Sequence, residues 1–419
     1  MPSSKSIETS AKGARTARPR HAKPGTCGQA ARVPQIPYAT QWIDENDIKA
    51  VVKILRSGWL TQGPAIEKFE KRVADYCGAK YAVAVCNATS ALHLACLALD
   101  LKPGDTLWTS PNTFVASANC ALYCGASVDF VDIDPRTGNL SVEQLRQKLE
   151  AAKQKGKLPK IVVPVHFAGQ PCEMAKIFAL SKRYGFRVVE DAAHAVGAHY
   201  QNRPVGDCRF SDVAVFSFHP VKIITTGEGG MLLTNRTELY EKFLRLRTHG
   251  ITREPRFMDG EPHGPWYYQQ VELGFNYRIT DIHCALGISQ MKRLGKFVRR
   301  RRQLARRYDK LLANLPLTLP WQHPDAESSW HLYVVRLQLD KIRKSHRQVF
   351  EELRAAGIGV NLHYIPVHTQ PYYRQLGFKP GQFPEAVKFY TEAISLPMFA
   401  RLTDAQQDRV VAALKKVLV

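Results

Sequence analysis

The sequence predicts an α/β protein with a mainly parallel sheet, followed by a smaller α+β region. Three observations predict it. Short apolar strands alternate with helices from residue 81 to about residue 233. Those strands are apolar at consecutive positions rather than at every second one, the pattern of a sheet covered on both faces. Beyond residue 310 the strict alternation gives way to a looser mixture of strands and helices.

Along the chain, Asp44–Ser57 reads as an amphipathic helix with Ile43, Ile48, Val51, Val52, Ile54 and Leu55 on its apolar side. Tyr81–Val85 is a strand that runs directly into a helix, Ala88–Leu99. Thr106–Thr109 is a strand, Val115–Cys124 a helix and Val128–Val131 a strand. Lys160–Val165 is a strand and Met174–Tyr184 a helix. Arg187–Glu190, Asp212–Ser217 and Gly230–Leu233 are further strands. Ile279–Lys310 reads as one long helix or two joined ones, with Leu304, Tyr308 and Leu311 turned inward. Then come a strand at Trp330–Leu337, a helix at His346–Ala356, a strand at Gly359–Tyr364 and a terminal helix at Asp404–Leu418. The expected organisation is a basic tail over residues 1–34, a large domain over 35–285 and a small domain over 286–419.

Composition narrows the class. The 419 residues are 45% hydrophobic and 10% aromatic, which excludes a chain disordered throughout. No stretch of about 18 apolar residues suggests a transmembrane helix. No signal-peptide core follows the N-terminal charges. The nine cysteines are scattered without a C-x-x-C pair. A reduced, cytoplasmic setting is therefore expected, with neither a disulfide framework nor a metal site. The net charge of +22 raises the question of nucleic acid, but most of it is concentrated in residues 1–34 and in Lys292–Lys310. A solvent-facing helix side is the ordinary meaning of the second run, and a flexible basic tail that of the first.

The most informative segment is Phe216-Ser217-Phe218-His219-Pro220-Val221-Lys222, continuing through Thr225-Thr226-Gly227-Glu228-Gly229-Gly230. It ends a buried strand, places a lysine in an irregular loop, and follows with glycines that permit close backbone approach. Ligands of α/β proteins lie at such strand ends. A lysine desolvated there becomes a usable nucleophile. A second strand ends in Glu190-Asp191-Ala192-Ala193-His194. Its carboxylate is suited to a protonated ring nitrogen, although an aspartate there could also be a helix cap and the histidine a core residue. A third strand runs into Asn87-Ala88-Thr89-Ser90, where free N–H groups at a helix start could hold a phosphate or simply be capped. Phosphate grip, ring-nitrogen partner and Schiff-base lysine together are what a pyridoxal phosphate enzyme needs.

With Leu60-Thr61-Gln62-Gly63, Asn87-Ala88-Thr89-Ser90-Ala91-Leu92, Ser217 to Lys222, Ile224 to Gly230 and His363-Tyr364-Ile365-Pro366 in this order, the chain resembles the DegT/DnrJ/EryC1/StrS family of sugar aminotransferases. The resemblance runs from about Ile36 to the C-terminus and is strongest to the family's pseudaminic acid branch. It implies a fold-type I architecture with a seven-stranded sheet and a homodimer with shared active sites. It further implies that Lys222 carries the cofactor, Asp191 holds its ring nitrogen and His194 lies near its ring hydroxyl. Phe114 would stack on the ring, Ala88, Thr89 and Ser217 would contact the phosphate, and Asn276 would reach the phosphate in the neighbouring subunit's site. Tyr38, Leu60, Thr61, Gln62, Gly63, His363, Tyr364, Ile365 and Pro366 match the substrate groove. Some members replace the lysine with histidine and act as dehydratases, which Lys222 argues against.

The activity so implied is amino transfer from L-glutamate to C4 of a UDP-linked 4-keto-6-deoxy N-acetylated sugar, with pyridoxamine phosphate as the intermediate cofactor form. A dTDP- or GDP-linked sugar, or the D-xylo UDP epimer, is the alternative within the family. A pyridoxal phosphate-binding regulator that contacts nucleic acid through its basic segments is the alternative outside it, although no DNA-binding signature supports it.

Overall fold

The computed structural model describes residues 35–418, which form one compact unit. The basic N-terminal tail expected from sequence lies outside the described residues.

Seven strands form the central sheet: β1 Tyr81–Val85, β2 Thr106–Thr109, β3 Ser127–Phe130, β4 Ile161–Val163, β5 Arg187–Asp191, β6 Val213–Ser217 and β7 Gly230–Thr234. Their order across the sheet is β1-β7-β6-β5-β4-β2-β3. All run in one direction except β7, which is antiparallel to both of its neighbours. The reversal follows from the connection. Strands β6 and β7 adjoin, so the glycine-containing loop between them only has to turn back, whereas a parallel return would need a crossover. β5, β6 and β7 have no exposed position except at the start of β5. That is why their sequences are continuously apolar rather than alternating.

Helices cover both faces. α1 (Glu45–Leu55) begins at Asp44, whose side chain caps the helix instead of belonging to it. The other helices of this region are α2 (Pro64–Cys77), α3 (Ala88–Ala98), α4 (Ala116–Tyr123), α5 (Val142–Gln154), α6 (Met174–Tyr184) and α7 (Thr237–Leu246). One core cluster packs α3, α4 and α7 against one sheet face through Leu92, Leu94, Cys96, Cys120, Phe243 and Leu246. Another packs α2 against the opposite face through Phe69 and Val73.

The long helix resolves into α8 (Asp281–Met291) and α9 (Leu294–Leu312), joined at Lys292–Arg293. The arginine-rich run of α9 is not uniformly solvated. Arg301 is buried and donates from Nη1 to the carbonyls of Trp330, His331 and Met398. Arg300, Arg302 and Arg307 are paired with Asp404, Glu327 and Asp408. A small three-stranded sheet of Leu317–Thr318, Tyr333–Leu337 and Ala393–Leu396 follows. The strand expected at Gly359–Tyr364 is not formed. Its backbone makes only isolated bridges, Ile358 with Ile36 and Asn361 with Ser395. Gly359 N–H is taken by the Ile36 carbonyl and Asn361 N–H by the Ser395 carbonyl, so neither pairing extends into a ladder. The strand expected from Trp330 begins at Tyr333, because Trp330 has φ of 52° and breaks the extended run.

Candidate functional site

The carboxyl ends of β1, β2, β4, β5 and β6 share one edge of the sheet, which β7 enters with its first residue. Register places Val85 beside Gly230, Gly230 beside Ser217, and Val215 beside Asp191. The three segments singled out in the sequence therefore meet at the same edge, where open α/β sheets hold ligands.

Asp191 ends β5 and is buried. Its Oδ2 accepts a 2.6 Å bond from Ser117 Oγ, and its Oδ1 accepts from Ala193 N–H at 3.1 Å. No helix starts here, so the aspartate is not a helix cap. The preceding Glu190 points elsewhere. It accepts from Ser211 at 2.5 Å and pairs at 2.8 Å with His166 Nε2. His166 Nδ1 accepts from Cys172 N–H at 3.2 Å, so Nε2 carries the ring proton and donates it to Glu190.

Lys222 sits in the loop from Phe218 to Gly229 between β6 and β7. The loop is held by Phe218 N–H donating to Gly229, Thr226 N–H and Thr225 Oγ1 donating to the Phe218 carbonyl, and Lys222 N–H donating to His219. The residue as a whole is part-exposed. The surroundings of its amine are nevertheless crowded enough that burial pushes the pKa from 10.5 to about 8, against the upward pull of Asp191. Thr40, Trp42, Gln290, Phe297 and Arg301 line a small cavity beside it.

His194 is buried, with Nε2 at 3.1 Å from the Tyr364 hydroxyl and the two rings stacked. Its Nδ1 is buried without a partner. Burial holds its pKa well below the usual value, and the Lys222 and His363 charges act in the same direction. His363 donates to or accepts from Ser395 Oγ at 2.7 Å, and burial with the Lys222 charge lowers it to about 3. Tyr38 lies against the His363 ring at 5.7 Å between centroids. Tyr364 N–H donates to Asn112 Oδ1, and its ring lies 6.5 Å from that of the exposed Phe114. Ile365 is exposed, while Pro366 leads into the buried Val367, whose N–H donates to the Pro111 carbonyl.

At α3, Asn87 Oδ1 caps Ser90 N–H at 2.8 Å. The capping anticipated from sequence is thus present, yet it occupies only one N–H of the first turn. The N–H groups of Ala88 and Thr89 precede the first intrahelical bond and remain directed out of the helix. Gly230 explains the close fit here, since a Cβ on it would lie 2.4 Å from the Asn87 carbonyl.

Two predicted pieces stand on other elements that run beside the end of β1, for Val85 bridges to Arg278 and Cys86 N–H donates to the Tyr277 carbonyl. Thr61 bridges to Thr280, and Gly63 N–H donates to Asp281 Oδ2 at 2.7 Å, so Leu60-Thr61-Gln62-Gly63 is anchored to the start of α8. Asn276 is exposed and bridges to Thr248. Sequence reasoning missed Ser117, Asp281, Arg301, His331 and Ser395. His331 is buried, its ring 4.4 Å from that of His194. A polar residue within an apolar run, as in Trp330-His331-Leu332 or Ile394-Ser395-Leu396, was the available signal.

The chain matches the DegT/DnrJ/EryC1/StrS aminotransferase family over residues 41–415. It is 39% identical to the spore coat polysaccharide biosynthesis protein SpsC of Bacillus subtilis, across 91% of this chain and 97% of that one. It superposes on Helicobacter pylori PseC, an aminotransferase involved in the biosynthesis of pseudaminic acid, with TM-score 0.82 and 31% identity over 92% of this chain and 99% of that one. The PLP form of Spr1654 from Streptococcus pneumoniae aligns with TM-score 0.81 and 30% identity, over 92% and 100% of the two chains.

Pyridoxal phosphate is the cofactor of these enzymes, and the residues present fit it. A buried carboxylate held by two donors, an amine of lowered pKa, an unpartnered buried imidazole nitrogen and free helix N–H groups stand at one sheet edge. No helix of the described residues is long and apolar enough to cross a membrane.

Proposed function

The chain belongs to the DegT/DnrJ/EryC1/StrS aminotransferase family, and on that premise we propose that this PLP-dependent sugar aminotransferase acts on a nucleotide-linked sugar. It moves the amino group of L-glutamate to C4 of a UDP-linked 4-keto-6-deoxy N-acetylated sugar, as a cytoplasmic homodimer. The observation that carries the reading is the convergence of Lys222, Asp191, His194 and Tyr364 at one sheet edge. The similarity to PseC supports the choice of sugar.

Bound pyridoxal phosphate supplies the carbonyl that takes the amino group and the ring that accepts electron density. Lys222 Nζ would carry it and, once free, would move the proton of the amino donor's α-carbon to the cofactor's C4′, a task suited to an amine poised near neutrality. Asp191 holds a proton on the ring nitrogen, oriented by Ser117 and Ala193. His194 lies near the ring hydroxyl, fixed by Tyr364. Ala88, Thr89 and Ser217 hold the phosphate, and Phe114 covers the ring. Tyr38, His363, Tyr364, Ile365 and Pro366 shape the sugar side. Leu60 to Gly63 also shape the sugar groove, and Asn276 reaches the phosphate in the partner's site in the dimer.

The test is turnover by purified enzyme with pyridoxal phosphate and glutamate. It is offered the UDP-linked N-acetylated 4-keto-6-deoxy sugar of L-arabino configuration, its D-xylo epimer and dTDP-4-keto-6-deoxyglucose. Amination mainly of the first is expected. Preference for either other sugar overturns the substrate while keeping the chemistry, and substantial turnover by Lys222→Ala overturns the role of the lysine.

A further inference from the structure

His194 is confined by groups from two other parts of the chain. The Tyr364 hydroxyl at Nε2 is the one hydrogen bond its imidazole makes among the described residues. Such a bond fixes one atom of the ring but not its tilt. The second group is the segment over residues 328–332, which leads into the strand Tyr333–Leu337. Ser329 Oγ donates to the His194 carbonyl at 3.0 Å. The His331 ring stands 4.4 Å from the His194 ring, centroid to centroid, at an interplanar angle of 45°. Ser329 and His331 are both buried. One hydrogen bond therefore holds the backbone of His194, and one ring contact limits how its side chain can turn.

The bracing segment is itself tightly held. Ser329 N–H donates to the Gly169 carbonyl at 3.1 Å, and Leu332 N–H donates to the Ala168 carbonyl at 3.2 Å. Arg301 Nη1 donates to the carbonyls of Trp330 and His331, at 3.1 Å each. Gly169 makes the close approach possible. Its φ is 99°, and a Cβ on it would stand 2.7 Å from Ser329 Oγ and 3.0 Å from both the His194 carbonyl oxygen and His331 N. His331 Nδ1 is buried without a partner, and burial holds the ring's pKa well below the usual value. A neutral ring rather than a charge therefore faces His194.

We propose that His331 and Ser329 are positioning residues for cofactor recognition: they set the place and tilt of His194, and through it the contact with the cofactor's ring hydroxyl. The inference rests on the reading of this sheet edge as the pyridoxal phosphate site. Recognition of one hydroxyl requires the facing group to be held to within about 0.5 Å, which a supporting layer of packed and hydrogen-bonded residues provides. Each of the two residues acts through His194, so each loses its effect when His194 is gone.

That dependence is the test, a double-mutant cycle read by cofactor binding rather than by turnover. Full-length apoenzyme is titrated with pyridoxal phosphate at one fixed pH. The dissociation constant and the visible absorption maximum of the bound cofactor are measured. His331→Ala should raise the dissociation constant about tenfold and shift the maximum, because residues in contact couple strongly. In a His194→Ala background the same change should raise the constant less than about twofold and leave the maximum in place. Ser329→Ala removes a single hydroxyl and should follow the same pattern with a smaller rise; it decides the question if His331→Ala does not fold. A role in packing alone would lower the denaturant midpoint in both backgrounds and move the absorption maximum in neither. Equal factors in the two backgrounds, or an unchanged constant and maximum in the first, overturn this inference and leave the proposed function standing. A wild-type apoenzyme that binds no pyridoxal phosphate overturns both.

Discussion

The Ser117 hydroxyl donates to Asp191 Oδ2 at 2.6 Å, although the two residues are 74 positions apart and lie on different elements. Its proton being committed to a carboxylate, Ser117 can only accept from Thr113 Oγ1, 2.7 Å away. The direction Thr113 to Ser117 to Asp191 is therefore fixed. With Ala193 N–H on Oδ1, the carboxylate plane is set before any ligand arrives.

Ser117→Ala leaves one buried carboxylate oxygen short of a donor and the Thr113 hydroxyl without its acceptor. Such a loss costs about 1–3 kcal/mol. If Asp191 holds the cofactor ring, the cofactor dissociation constant should rise roughly tenfold, equivalent to about 1.4 kcal/mol. Fluorescence titration of the apoenzyme reads it. An unchanged constant together with unchanged turnover would show that the hydroxyl does not orient Asp191 for function.

The lowered Lys222 amine makes a kinetic prediction. Only the neutral amine attacks a carbonyl, and burial puts half of it in that form near pH 8 rather than 10.5. The rate at which apoenzyme captures pyridoxal phosphate should rise with pH to a midpoint of about 8 and then level. A rate still rising beyond pH 9.5 would contradict it. The same shift bears on stability. In the window from about 8 to 10.5 the unfolded chain binds more protons at this position than the folded one, so this residue's contribution to apoenzyme stability should increase with pH there.

Acid should weaken the fold through three neighbouring histidines. Burial lowers His194, His331 and His363, the last to about 3, and each is also held down by the Lys222 charge. Below pH 6.5 the unfolded chain takes up protons that the folded chain refuses, so stability is present above 6.5 and is lost as pH falls. Denaturant midpoints of apoenzyme should decline between pH 7 and 5, before carboxylates titrate. His363→Gln should make that decline shallower. An equal slope in the variant would rule out His363 as a contributor.

The sheet-edge chemistry was legible where a strand ends abruptly in a marked residue. Asp191 follows Val188-Val189, and Lys222 follows Val215-Phe216 and precedes paired glycines. Such signals are local and survive in one dimension. Ser117, His331 and Arg301 were not legible, because their meaning lies in partners 74, 137 or 97 residues away in sequence, namely Asp191, His194 and the Met398 carbonyl. Arg301 was hidden further by its neighbours, since four consecutive arginines read as one solvated stripe whereas helical geometry turns one of them inward. The Gly359–Tyr364 segment misled for the opposite reason. Its apolar alternation is that of a strand, but its backbone meets two different partners, Ile36 at Gly359 and Ser395 at Asn361, so neither pairing extends into a ladder.

Gly230 offers the sharpest test of how the fold positions the phosphate grip. It opens β7 and bridges Val85 and Ser217 across the sheet edge. A Cβ there would stand 2.4 Å from the Asn87 carbonyl carbon and oxygen and 2.7 Å from Ala88 N, all backbone atoms that cannot swing aside. Gly230→Ala must therefore push the start of α3 away from the sheet. Overpacking of this kind costs roughly 1–3 kcal/mol. Because Ala88 and Thr89 carry the free N–H groups, the displacement should also weaken cofactor binding, and inorganic phosphate should protect the variant from thermal unfolding less than it protects the wild type. Gly381, with nothing within 4 Å of a built Cβ, is the control, and Gly381→Ala should leave both quantities unchanged. If Gly230→Ala lowers stability while phosphate protection stays at the wild-type level, the start of α3 is not where the phosphate is held.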